Sequence, residues 1–314
     1  MELVAADIGG THARFALATV TDGKVALGPE TVLKTGEFAG LPEAWRAFEQ
    51  ALGRPLPPAA GIALAGPADG DVVRLTNSGW VLERSRLNAQ LGVDRLSLVN
   101  DFAAVAHAVA RCETFTHICG PERPLPERGV VSIVGPGTGL GVAMLVRGPE
   151  GDRVIATEGG HIEFAPLDRE EQRLRDDLAG RFGRVSVERV LSGAGLGEIY
   201  ASITGRDPPE PAELWRLALT GAAPVAVTAL DRFCRILGSA AGDLALAQGA
   251  DAVVIAGGLG LRLAEHLPAS SFPERFAAKG RFQARMETLP VKLITHPQPG
   301  LLGAAAAFLS EHGG

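Results

Sequence analysis

The chain lacks most of what an extracellular, nucleic-acid-binding or membrane protein needs. It holds three cysteines, Cys112, Cys119 and Cys234, with no C-x-x-C pair. So sparse and odd a set fits reduced thiols in a cytosol, and it supplies no zinc cage. Basic residues are outnumbered, 30 against 36 acids, which gives a net charge of −6 and a pI of 5.7. Nucleic acid and anionic membrane both ask for a basic face, so neither is an expected partner. No apolar run reaches the ~18 residues that suggest a spanning helix. The opening Met1-Glu2-Leu3-Val4 reads as a strand and not as the basic start of a secretory signal. No G-x-x-x-x-G-K-[ST] phosphate loop occurs either.

Hydrophobic residues make up 46% of the 314 and charged residues 21%, enough for two domains with packed cores. Glycine is 40 of the 314, near twice the ~7% average, so tight turns are many. The first is the most informative. Val4-Ala5-Ala6-Asp7-Ile8 runs into Gly9-Gly10-Thr11, then His12-Ala13-Arg14, then a second apolar run, Phe15-Ala16-Leu17-Ala18. That predicts a strand, a tight turn and a returning strand. Glycines let successive backbone N–H groups converge on an anion. Asp7, at the strand's end, could hold a divalent cation beside that anion. The pattern returns at Val130–Val134, Gly135-Pro136-Gly137-Thr138-Gly139-Leu140-Gly141 and Val142–Val146. Two copies predict two related halves, each with a phosphate turn. Neither is a dinucleotide fingerprint, because a strand and not a helix follows each.

Other candidates carry two readings each. Asp101 follows the strand Leu96–Asn100 and opens the helix Asp101–Arg111, so it either caps that helix or serves as a ligand at a strand end. Glu158 and His161 flank Gly159-Gly160. They are either a surface acid and a structural histidine, or a pair of groups for adjacent hydroxyls. Glu188, behind the candidate cap Ser186, either meets a helix dipole or adds a third ligand. Ile255-Ala256-Gly257-Gly258 reads as strand, turn and helix, for packing or for a nucleotide. Ser192-Gly193-Ala194-Gly195-Leu196 is a further glycine-rich turn.

Asp7-Ile8-Gly9-Gly10-Thr11-x-x-Arg14 with Gly137-Thr138-Gly139 resembles the two phosphate motifs of the sugar-kinase, actin and heat-shock-chaperone ATPase superfamily. Within it, the bacterial-type glucokinase family is the closer resemblance. It extends over Leu75-Thr76-Asn77, Asn100-Asp101-Phe102, Glu158-Gly159-Gly160-His161, Val187–Gly193, Ile255–Gly258 and Pro299-Gly300-Leu301-Leu302-Gly303. The repressor/kinase sugar-kinase group carries a Cys-rich zinc motif after its Gly-His pair. This chain has none, so the resemblance is to the zinc-free group and no zinc is expected.

The resemblance implies an α/β chain with a two-lobed ribonuclease-H-like, actin-like ATPase fold: mixed sheets flanked by helices, and a cleft between the lobes that closes on substrate. The implied domains are 1–110 plus 300–314, and 111–299. The implied activity is transfer of the γ-phosphoryl of ATP, with Mg²⁺, to the 6-hydroxyl of D-glucose. Asp101 would be the catalytic base, and Asn77, Asn100, Asp101, Glu158, His161 and Glu188 would hold the sugar. Ala6, Asp7, Ile8, Gly9, Gly10, Thr11, Gly137, Thr138, Gly139, Gly257 and Gly258 would hold ATP, with Asp7 on Mg²⁺ directly or through water. The expected partners are these small molecules, in the cytoplasm, with a homodimer as an open alternative to a single copy. A kinase for another hexose is the nearest rival. A sugar-sensing regulator would carry a DNA-binding helix-turn-helix ahead of Asp7, and a chaperone or filament ATPase gives no reason for Glu158, His161 and Glu188 together.

Elsewhere, strands are expected at 2–8, 14–20, 60–65, 96–100 and 251–256. Helices are expected from Leu41 to Phe48, Asp168 to Arg184, Pro224 to Gly249 and Leu301 to His312, the last rich in alanine. Pro121–Arg128 reads as a connector near a domain boundary, and Gly205–Pro211 as a loop. The acid-rich Asp168-Arg169-Glu170-Glu171-Gln172 reads as a solvated helix start. Trp45, Trp80, Trp215 and His107 read as packing residues.

Overall fold

The computed structural model describes residues 1–66, 70–75 and 78–313. The chain divides into two units, Met1–Glu113 with His296–Gly314, and Thr114–Thr295.

In the first unit the strands are β1 (Glu2–Ile8), β2 (His12–Thr21), β3 (Lys24–Leu27), β4 (Thr31–Lys34), β5 (Ala59–Leu64), β6 (Val72–Arg74), β7 (Val81–Glu83) and β8 (Arg95–Asn100). The helices are α1 (Leu41–Leu52), α2 (Arg84–Leu91), α3 (Asp101–Arg111) and, from the end of the chain, α12 (Pro299–His312). The main sheet runs β3-β2-β1-β5-β8, with β4 on β2 and β6-β7 a separate hairpin. β1 to β3 pair antiparallel, whereas β1-β5 and β5-β8 pair parallel. β1 is buried on both faces, which is why it reads as an unbroken apolar run. Val4, Ala6 and Ile8 pack with Phe15, Trp45, Phe48 and Trp80 on one face. Leu3 and Ala5 pack with Leu301, Ala305 and Phe308 of α12 on the other. The small residues of α12 have a reason. A Cβ on Gly303 would stand 1.7 Å from the Ala104 carbonyl oxygen of α3, and one on Gly61 would stand 2.1 Å from that of Ala304. Only glycine lets α12 lie so close to α3 and β5.

In the second unit the strands are β9 (Phe115–Cys119), β10 (Gly129–Pro136), β11 (Leu140–Gly148), β12 (Gly151–Thr157), β13 (Ala252–Ile255) and β14 (Val291–Ile294). The sheet runs β12-β11-β10-β13-β14-β9. β12, β11 and β10 pair antiparallel, β10-β13 and β13-β14 parallel. Its first five strands therefore repeat the order and senses of β3-β2-β1-β5-β8, so the two related halves legible in the glycine turns recur as one topology used twice. The helices are α4 (Arg169–Phe182), α5 (Val187–Val190), α6 (Gly195–Thr204), α7 (Pro211–Leu219), α8 (Pro224–Gln248), α9 (Gly257–Arg262), α10 (Phe272–Ala277) and α11 (Gln283–Met286). Helix α8 is central to this core. Its Phe233 meets Trp215 of α7 edge-on, with ring centroids 5.4 Å apart. Among the described residues no single helix is long and apolar enough to cross a membrane.

Pro121–Arg128 joins β9 to β10 a few residues inside the second unit, which starts at Thr114. One local expectation needs correcting. The acid run at α4 is not solvated throughout. Asp168 caps the helix, accepting from the amides of Glu170 and Glu171, and pairs with Arg232 and Arg235 of α8. Glu171 is only 2% exposed, accepts from the Leu167 amide at 2.9 Å, and faces Arg232 at 3.4 Å. Burial raises its pKa.

Candidate active site

The first glycine turn joins β1 to β2. The Gly9 amide donates to the His12 carbonyl oxygen at 2.9 Å and so closes the turn. Thr35, just after β4, holds the other side. Its amide donates to the Thr11 carbonyl oxygen at 3.0 Å, and its hydroxyl to that of Gly10 at 2.7 Å. Both carbonyls are thereby tied to protein, while the Gly10 and Thr11 amides make no hydrogen bond among the described residues. Two adjacent uncommitted N–H groups at an open turn are a donor pair suited to an anion. Gly9 shapes it without donating to it. Ala6 and Ile8 are fully buried and point into the core, so they serve the strand that carries Asp7. Thr35 was missed. It sits far from the motif in sequence, in a 3₁₀ turn that no local pattern marks.

Asp7 pairs across the hairpin with Arg14, whose guanidinium lies 3.8 Å from its carboxylate. A Cβ on Gly300, in the first turn of α12, would stand 2.5 Å from Asp7 Oδ2. Glycine there is what lets the helix begin beside the carboxylate. Burial pushes the Asp7 carboxyl up to about 6; the Arg14 charge opposes this, and Asp101 and Glu30 add to it. No group of three or more His, Cys, Asp or Glu comes together to cage a metal among the described residues. A lone carboxylate instead fits magnesium, which keeps its waters and takes one or two carboxylates plus substrate phosphates. A cation would also relieve a carboxylate that burial disfavours.

Asn100 and Asp101 divide the roles that the sequence left open. Asn100, not Asp101, is the cap of α3. Its Oδ1 accepts from the amides of Phe102 and Ala103 at 2.9 and 3.2 Å, and its Nδ2 donates to the Gly66 carbonyl oxygen at 3.0 Å. Asp101 is the first helical residue and is exposed, with Oδ1 accepting from Phe102 at 2.8 Å. Asn77 lies outside the described residues.

In the second unit the turn between β10 and β11 follows the same plan. The Gly137 amide donates to the Gly139 carbonyl oxygen at 2.8 Å, and the Gly193 amide to that of Gly137 at 2.8 Å. Trp215 in turn donates from Nε1 to the Gly193 carbonyl at 3.0 Å. The Thr138 and Gly139 amides make no hydrogen bond among the described residues, so a second pair of donors stands open. Gly137 is not in the left-handed region, and nothing lies within 4 Å of where its Cβ would be. The chain's own packing does not demand glycine there. Gly257 is the opposite case: its φ is 79°, and a Cβ would stand 2.6 Å from the Pro136 carbonyl oxygen. It allows α9 to start against the phosphate turn. Gly258 again has open space.

Glu158, Gly159-Gly160 and His161 form a 3₁₀ turn after β12. The glycines are needed for contact, because a Cβ on Gly160 would stand 2.1 Å from the Leu140 carbonyl oxygen and one on Gly159 2.8 Å from Val142 Cγ1. The turn thus sits directly on β11. His161 Nε2 lies 3.8 Å from Glu158 Oε2, and its Nδ1 4.0 Å from Glu188 Oε1. Glu188 Oε2 accepts from the Leu140 amide at 3.0 Å. Ser186 stands at the cap position of α5 but makes no side-chain cap bond. The result is a row of carboxylate, imidazole and carboxylate, too widely spaced for direct hydrogen bonds. Such a row can donate to and accept from neighbouring hydroxyls.

A family model described as Glucokinase matches residues 4–311. A glucokinase of Zymomonas mobilis is 56% identical, over 99% of this chain and 99% of its own. One of Stenotrophomonas maltophilia is 41% identical, over 97% of this chain and 94% of its own. The crystal structure of a glucokinase from an Antarctic psychrotroph superposes with a TM-score of 0.85 at 34% identity, covering 98% of this chain and 99% of that one. With the match running from β1 to α12, the chain belongs to the glucokinase family.

Proposed function

We propose that the chain transfers the γ-phosphoryl group of magnesium-bound ATP to the 6-hydroxyl of D-glucose, giving glucose 6-phosphate and ADP. One juxtaposition inside the second unit carries this reading. The sugar-type row Glu158, His161, Glu188 abuts the phosphate turn Gly137–Gly139 through a single hydrogen bond, Glu188 to Leu140. A kinase must bring a hydroxyl and a phosphate to bonding distance, and here their ligands share one piece of backbone.

The roles follow from the chemistry of each group. The amides of Gly10 and Thr11, and of Thr138 and Gly139, hold phosphate oxygens. Asp101 accepts the proton of the 6-hydroxyl as its oxygen forms the bond to phosphorus; in a loose transition state that transfer comes late and suits a carboxylate. Glu158, His161 and Glu188 bind ring hydroxyls, and Asn100 adds the one Nδ2 hydrogen that its bond to the Gly66 carbonyl oxygen leaves. The open space at Gly258 suits a close approach by the nucleoside. Asp7 would hold magnesium, directly or through water, and the ion would supply charge neutralisation on the transferred group.

The test is a comparison of initial rates at fixed Mg-ATP over glucose, mannose, fructose and N-acetylglucosamine. Glucose should give the highest kcat/KM, by about tenfold or more, the scale of one hydrogen bond to a charged group at about 1.5–3 kcal/mol. A higher kcat/KM for another hexose would reassign the substrate.

A further inference from the structure

Glu188 does more in this structure than face a sugar. Its two oxygens are committed differently: Oε2 accepts from the Leu140 amide at 3.0 Å, while Oε1 faces His161 at 4.0 Å. The carboxylate also lies against the backbone of the phosphate turn. A Cβ on Gly139 would stand 2.4 Å from Oε2 and 3.1 Å from the carboxyl carbon. Leu140 is gripped from both sides by segments of the sugar row. Its amide is held by Glu188, and its carbonyl oxygen is in contact with Gly160 of the Glu158–His161 turn. Leu140 follows directly on Thr138 and Gly139, whose amides are the open phosphate donors, and it is the first residue of β11.

We propose that Glu188 is a positioning residue that couples sugar occupancy to the geometry of the nucleotide turn. This rests on the assignment of Glu188 to the sugar made above. A hydroxyl donating to Oε1 fixes the carboxylate plane. Oε2 then holds the Leu140 amide, and with it the direction in which the Thr138 and Gly139 amides point. Without sugar, water competes for both oxygens and the turn is held less firmly. By linkage, sugar then tightens nucleotide binding and nucleotide tightens sugar binding by the same factor.

The test measures that factor by calorimetry on the full chain. The dissociation constant of the non-hydrolysable analogue adenylyl imidodiphosphate, with magnesium, is determined with and without saturating glucose. The wild-type ratio should be about fivefold or more, within the usual range of coupling between sites. Gly139→Ala adds a methyl that displaces the Glu188 carboxylate from the Leu140 amide while removing none of the sugar-facing groups and no charge. Its ratio should collapse toward one. Because the ratio compares one variant with itself, any direct effect of the methyl on phosphate binding cancels. Glu158→Gln should weaken glucose but keep the ratio, since Glu158 makes no bond to Leu140. If Gly139→Ala does not fold, Glu188→Asp serves instead; it keeps the charge, is one methylene shorter, and should also lose the ratio. A wild-type ratio of one, or an undiminished ratio in the folded variant, overturns the proposal. Unchanged glucose affinity in both Glu158→Gln and Glu188→Gln would instead overturn the sugar assignment beneath it.

Discussion

Asn100 and Asp101 are neighbours with separable duties, so Asp101→Asn is an unusually clean perturbation. The cap of α3 belongs to Asn100, which accepts from two amides and anchors on Gly66. An amide at position 101 keeps an oxygen for the Phe102 amide that Asp101 Oδ1 now satisfies. What is lost is one negative charge in the first helical turn, worth about 0.3–1 kcal/mol at an exposed site. With Asp101 as the proposed base, the catalytic loss should be far larger. An amide cannot take the hydroxyl proton, and a general base contributes about 10²–10⁴-fold, or about 2.7–5.4 kcal/mol in the barrier. The variant should therefore melt within a few degrees of wild type, bind glucose normally by calorimetry, and turn over at one hundredth of the wild-type kcat or less. The converse substitution, Asn100→Ala, should cost about 0.5–2 kcal/mol of stability through the lost cap. Retention of more than half of wild-type kcat by a folded Asp101→Asn would refute the base assignment.

Three further substitutions test the supporting frame. Gly300→Ala places a methyl 2.5 Å from the Asp7 carboxylate; overpacking of about 1–3 kcal/mol should outweigh the ~1 kcal/mol gain of alanine in a helix, lowering both the thermal midpoint and kcat. A midpoint at or above wild type would show room that the structure does not have. Thr35→Val removes the hydroxyl that holds the Gly10 carbonyl; it should cost about 1 kcal/mol and raise the KM for ATP while calorimetry shows unchanged glucose affinity, and an unaltered KM would take Thr35 out of the phosphate cradle. Gly257→Ala must strain a φ of 79° and meet the Pro136 carbonyl, so it should lose about 1–3 kcal/mol in denaturant titration, whereas Gly258→Ala should stay within about 0.5 kcal/mol and act only on ATP affinity. Equal stability loss in both would contradict the assignment of Gly258 to the ligand.

Local pattern carried much of this site, and its failures have a common cause. The two phosphate hairpins were legible because strand, glycine turn and returning strand are written within about twenty residues each. Glu158, His161 and Glu188 were visible only as residue types; what joins their segments is Leu140 of β11, whose amide Glu188 holds and whose carbonyl oxygen lies against Gly160. The acids at α4 read as solvated because their partners, Arg232 and Arg235, lie about sixty residues further on in α8. Thr35 was invisible for the same reason. The Asn100-Asp101 pair misled differently. Both residues make good caps, and the choice depends on where β8 stops. Asn100 still has an extended backbone, with ψ of 148°, so its side chain reaches forward to the amides. Several glycines are points of close approach that local pattern does not reveal: Gly139 on Glu188, Gly160 on Leu140, Gly300 on Asp7 and Gly303 on Ala104.

The central claim is that one phosphoryl group passes from ATP to the 6-hydroxyl of glucose and not to water. Phosphorus NMR of the purified protein with magnesium, ATP and glucose tests this directly. The γ-phosphate resonance should be replaced by the monoester resonance of glucose 6-phosphate, with ADP appearing in equal amount and neither product forming when glucose is left out. Inorganic phosphate as the main product, or ADP formation that does not depend on glucose, would contradict it.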